Sequence, residues 1–195
     1  MSLGGLFGGF GGGGGGGFNN LGLINQLITV FEVLAMAAVI CTAILVYRGM
    51  VKGKPVSAGG ILGVGIAGLV VFGVLLILNV VYQVMLAQMY EGLYIASQTL
   101  AELFHLLALV GSGVLLLASG KRPGLARGAL LLQTVAVLEL WLTRFCSLFS
   151  TLMAPYEATL PVAWYLKFVV NFAAMAVSLV VCLAAFRRNK QAVTQ

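Results

Sequence analysis

The chain has 195 residues, 61% of them hydrophobic and 8% charged, with a net charge of +6 and a mean hydropathy of +1.09. A soluble domain devotes roughly a quarter of its residues to charged groups, because water must solvate its outside. Eleven basic and five acidic side chains cannot do that for 20.4 kDa, so the composition predicts a protein whose solvent is mostly lipid.

The chain opens on a glycine tract, Gly4 to Gly17, interrupted by Leu6, Phe7 and Phe10. No Lys or Arg precedes Phe18, so the basic n-region of a cleavable signal peptide is missing. Glycine loses the most backbone entropy on ordering and has no side chain to bury. Residues 1–23 are therefore expected to form a flexible external tail, with Leu6, Phe7 and Phe10 as its contacts to a partner.

Five apolar runs follow, each long enough to cross a hydrocarbon layer of roughly 30 Å as a helix. They are Leu27–Tyr47, Gly60–Val81, Thr99–Ser119, Gly128–Phe149 and Pro161–Phe186. The expected fold is an all-α integral membrane protein: a five-transmembrane-helix bundle over residues 24–188, followed by a cytoplasmic tail at 189–195. The segment Tyr82–Gln98 is less apolar and carries Tyr82, Tyr90, Glu91 and Tyr94, which suits an interfacial helix or an extension of the flanking spans.

The basic residues cluster after the first span (Arg48, Lys52, Lys54), between the third and fourth (Lys121, Arg122, Arg127) and after the fifth (Arg187, Arg188, Lys190). A five-span path puts all three clusters on one side, which the positive-inside bias makes the cytoplasm. The N-terminus is then outside. The positive charge reads as an orientation signal with anionic-lipid contact, and no nucleic acid is expected as a direct partner.

The second span carries Gly59, Gly63 and Ala67 at four-residue spacing, with Gly68 beside them. Small residues on one ridge let helix backbones approach closely, so these four are the candidate helix-packing residues, within the bundle or against another subunit.

Ionisable groups inside a membrane are costly and need a reason. Counted from the nearest cytoplasmic basic residue, Glu32, His105 and Asn171 each lie about 24 Å in, Arg144 about 26 Å, Glu102 about 28 Å and Lys167 about 30 Å. Glu139 is deeper, at about 18 Å. These seven residues form a candidate polar network in the outer half of the bundle. Three carboxylates face two fixed cations and one histidine, which suits ion pairs that fix helix neighbours. It also suits a proton- or ion-handling site centred on Glu139, with His105 and Glu102 as relay members.

No set of residues for enzymatic chemistry is legible. The chain has no Asp, no phosphate-cradling glycine–lysine motif and no Gly-x-Ser-x-Gly elbow. Glu102-x-x-His105 spells one half of a helical di-metal carboxylate centre, but such a centre needs two of these pairs and the chain has one histidine. Cys41, Cys146 and Cys182 are odd in number and far apart, as expected of small buried hydrophobes. No catalytic residue, metal or cofactor is therefore expected.

The expectation is a non-enzymatic subunit of a larger envelope assembly, of the kind of a bacterial secretion or conjugation channel, in the bacterial inner membrane. Its partners would be the lipid bilayer and other membrane or envelope subunits, or further copies of itself in a homo-oligomer. The alternative is a small proton- or ion-coupled transporter or channel, with Glu139, His105 and Glu102 lining the path.

Overall fold

Lipid offers no hydrogen bonds to a peptide group, so each apolar run must satisfy its own backbone, and a helix does this locally. The computed structural model describes residues 17–87, 93–119, 122–153 and 162–193, and among these the chain is helical with no strand. The helices are α1 (Gly17–Val46), α2 (Ala58–Ala87), α3 (Leu93–Ala118), α4 (Pro123–Leu152) and α5 (Val162–Val193). Four of them are long and apolar enough to cross a membrane, over Leu21–Val51, Ala58–Met85, Gly124–Leu152 and Trp164–Arg188. The corresponding apolar stretch of α3, Glu102–Ala118, is shorter. These helices are compatible with an integral membrane protein.

Helix boundaries run past the hydrophobic windows. α1 starts at Gly17, so 17–23 are helical where a flexible tail is expected. α5 continues to Val193 through the stretch expected as a tail from 189. Once a helix is nucleated, each further residue adds a hydrogen bond at small entropic cost, and Arg, Lys and Gln are good helix formers. The described parts of the joint between the second and third spans, 82–87 and 93–98, likewise extend α2 and α3. Tyr90 and Glu91 lie outside the described residues, as do Leu6, Phe7 and Phe10 of the glycine tract.

The end of α1 has its own chemistry. A π turn, Tyr47–Val51, closes with the Lys52 N–H donating to the Tyr47 carbonyl at 2.9 Å. Gly53 then takes a left-handed φ of 63°, and the Lys54 N–H reaches back to the Arg48 carbonyl at 2.9 Å. This is a glycine helix stop made one residue wider by the π turn. Pro55 prevents resumption, and Ser57 caps α2 by accepting the Gly60 N–H at 3.1 Å. Pro123 opens α4 in the first turn, where its missing N–H has no intrahelical partner to lose.

Consecutive helices run antiparallel. One apolar cluster joins Val46 and Met50, Ile61, Ala118, Ala126 and Ala185, all flanking basic residues, and so defines a basic end. A second cluster fills the other half with Met36, Val39, Phe72, Leu75, Ala108, Val137 and Ala174, drawn from all five helices. α1 and α4 are the central pair. α2 and α3 cover one side of it and α5 the other. The outward faces are equally apolar: Ile77 is 64%, Leu117 68% and Val180 64% exposed, which water would not tolerate over a whole bundle but lipid does.

Close approach of α2, α3 and α4 depends on three glycines. A Cβ at Gly65 would lie 2.5 Å from Leu116 Cδ2, one at Gly68 2.5 Å from Ser112 Oγ, and one at Gly111 2.9 Å from the Ala129 carbonyl oxygen. Of the ridge read from the sequence, only Gly68 takes part. Gly59, Gly63 and Ala67 are exposed, and among the described residues nothing beyond the local backbone of α2 lies within 4 Å of a Cβ at Gly59 or Gly63. The reason is angular: α3 sits against the 65/68/72/75 face of α2, and the 59/63/67 ridge is turned away from it.

Candidate functional site

The polar residues of the far half collect into two groups, on opposite sides of the central α1–α4 pair. The first joins α1, α4 and α5. Thr29 and Glu32 are three apart on α1 and so share a face. The Arg144 guanidinium of α4 donates to the Glu32 carboxylate, and Lys167 Nζ of α5 lies 3.4 Å from the same oxygen. Lys167 also donates to Thr29 Oγ1 at 2.6 Å. The three charged side chains are 13–19% exposed, so each gives up most of its solvation and needs the others.

Aromatic rings close the α4–α5 seam beside this triad. Trp141 stacks on Phe145 at 5.4 Å between centroids and meets Phe172 at 5.8 Å, while Trp164 stacks on Phe168 at 5.8 Å. Asn171, one turn from Lys167, is 3% exposed, and its Nδ2 has no hydrogen-bond partner. The i,i+4 pair Lys167–Asn171 therefore shares a face of α5, but Lys167 is drawn to α1 instead.

The second group joins α2, α3 and α4. Gln83 Nε2 donates to Glu102 Oε1 at 2.7 Å, tying α2 to α3. Glu102 Oε2 stands 3.5 Å from His105 Nδ1, an ion-pair distance without hydrogen-bond geometry. Across on α4, Glu139 accepts from Thr143 at 2.9 Å within its own helix and lies in electrostatic reach of His105, Glu102 and Glu32. Four buried atoms here have no hydrogen-bond partner: Glu102 Oε2, both ring nitrogens of His105, and Glu139 Oε2. His105 is only 4% exposed.

The structure thus divides the seven sequence-predicted residues. Glu32, Arg144 and Lys167 meet directly, Glu102 and His105 form a second pair, and Glu139 and Asn171 make no direct bond to the other five. Three partners carry no charge and escaped sequence reading: Thr29, Gln83 and, nearer the basic end, the buried Gln133, whose Nε2 donates to Ser112 Oγ at 3.0 Å. Nothing local marks them, since their partners are 138, 19 and 21 residues away. Of the cysteines, Cys182 is buried with the Thr134 hydroxyl 3.9 Å from its sulfur, whereas Cys41 and Cys146 lie on the outer surface. In lipid an outward thiol is as acceptable as a buried one.

Chemically, the first group is an ion-paired triad in which two cations share one carboxylate, leaving one positive charge in excess and the buried Arg144 Nε without a hydrogen-bond partner. The second is open, with carboxylate and imidazole atoms that could still exchange protons or bind water. Among the described residues no three of His, Cys, Asp or Glu converge closely enough to hold a metal ion. No family model matches the chain, and neither a characterised protein nor a solved structure is significantly similar to it.

Proposed function

We propose that this chain is a non-enzymatic integral membrane subunit of a larger assembly, with five membrane crossings, its N-terminus outside and its basic end in the cytoplasm. One observation carries the reading. The Gly59–Gly63–Ala67 ridge of α2 is exposed, while the chain's own close contacts use Gly65, Gly68 and Gly111. A smooth ridge turned toward lipid suits a helix of another subunit, because small residues there allow the close approach that dispersion contacts need. The packed core of Phe72, Leu75, Met36 and Val39 supports the same reading over conduction through a single copy.

A bacterial inner-membrane assembly of the secretion or conjugation type is the class favoured by architecture, which is an argument by analogy. Leu6, Phe7 and Phe10 would supply a further apolar contact to a partner. Gentle detergent extraction should yield a particle much larger than the 20.4 kDa chain. Gly63→Leu should shrink it while the bundle keeps its thermal stability, and deletion of residues 4–17 should remove co-purifying proteins. A wild-type particle no larger than one chain would defeat the proposal.

A second reading, a proton- or ion-coupled transporter or channel, is favoured by the partnerless atoms of Glu102, His105 and Glu139. In liposomes holding only this protein, a pH-dependent flux abolished by Glu139→Gln would decide for it and against the assembly subunit.

A further inference from the structure

We propose that the basic end holds a binding site for the phosphate of an anionic lipid, formed by the linker after α1 and the last turns of the α5 span. It goes beyond the assembly reading and does not depend on it. The apolar spans of α1, α2 and α5 end or begin at Val51, Ala58 and Arg188, so residues 52–57 and Arg188 share the level at which hydrocarbon gives way to headgroups. The π turn packs against α5. Gly53 is the hinge of this meeting: a Cβ there would lie 3.3 Å from Arg188 Nη2, and its φ of 63° disfavours any other residue. Arg188 is thus seated against the backbone of the linker, bringing its guanidinium to the segment that carries Arg48, Lys52 and Lys54.

The charge at this place is unbalanced. Arg48, Lys52, Lys54, Arg187 and Arg188 are all exposed. The chain's five carboxylate side chains are Glu32, Glu91, Glu102, Glu139 and Glu157, and the three described ones lie in the far half, among the Phe31, Phe104 and Trp141 layer. No described Asp or Glu therefore answers these five cations. Among the described residues Lys52 meets the Tyr47 ring, its Nζ 5.2 Å from the centroid. The Lys52 and Lys54 N–H groups are already bonded to the Tyr47 and Arg48 carbonyls, so an anion would be held by side chains. A lipid phosphate at this depth supplies the missing charge, and the planar Arg188 fork suits two of its oxygens.

The test uses the full chain in detergent, stripped of lipid and then offered phosphatidylglycerol, phosphatidylcholine or inorganic phosphate. Bound lipid is read by native mass spectrometry and protection by thermal unfolding. Wild type should retain phosphatidylglycerol in preference to phosphatidylcholine. Arg188→Ala and Lys54→Ala, both at exposed positions, should each weaken retention about fivefold. Arg122→Ala, an exposed cation at the same end outside the site, should leave retention unchanged. Equal retention of the two lipids, or equal losses in Arg122→Ala and Arg188→Ala, would overturn the site in favour of diffuse attraction. Protection by inorganic phosphate as strong as by phosphatidylglycerol would overturn the lipid assignment.

Discussion

Glu32 is the one carboxylate that two cations share, and this sets the order in which the triad fails. Glu32→Gln leaves Arg144 and Lys167 facing each other without a counter-charge, which should cost about 3 kcal/mol or more. Arg144→Met leaves Lys167 still 3.4 Å from the carboxylate and should cost about half as much. Unfolding of the two variants in detergent checks the ranking, and a reversed order would mean that Lys167 does not share the charge. The charged members were legible in the sequence because a charge at depth always needs a reason. Thr29 and Gln83 were not, because a neutral polar side chain in a span can satisfy itself on its own helix, as Thr42 and Ser112 do with the carbonyls four residues back.

Among the helices, the glycines separate two kinds of surface that share one composition. At Gly111 a methyl would meet the Ala129 backbone carbonyl oxygen at 2.9 Å, so Gly111→Ala must push α3 from α4 and should destabilise the bundle by roughly 1–3 kcal/mol. At Gly63 a methyl meets nothing within 4 Å, and Gly63→Ala should stabilise the isolated bundle by about 0.5–1 kcal/mol through helix propensity. Thermal unfolding of the single chain distinguishes these signs. The four-residue spacing of Gly59, Gly63 and Ala67 was visible in the sequence. Which ridge α3 would choose was not, because glycine marks both faces of α2 and the selection rests on the fit of Leu116 and Ser112 against Gly65 and Gly68.

For the molecule as a whole, the antiparallel order of five helices sets a topology that chemical labelling can read. In a background with Cys41, Cys146 and Cys182 replaced by Ser, single substitutions Lys52→Cys and Arg122→Cys should react with a membrane-impermeant maleimide from the same side. Met153→Cys, at the other end of α4, should react from the opposite side. Labelling of positions 52 and 122 from opposite sides would mean that α3 does not cross.

What the sequence by itself determined is the all-helical class, the apolar runs compatible with an integral membrane protein and the positions within them at which charge must be resolved. These follow from composition and spacing along one chain, and burial of apolar surface responds to them directly. Only the tertiary structure decided which charges meet. It divided one apparent polar layer into an ion-paired triad of Glu32, Arg144 and Lys167 and a second group around Glu102 and His105. It also brought Arg188 to Gly53, 135 positions apart in the numbering of the chain. Pairing depends on which helix faces rotate toward each other, and that rotation is set by close packing at a few small residues, a property of the assembled bundle and not of any one segment.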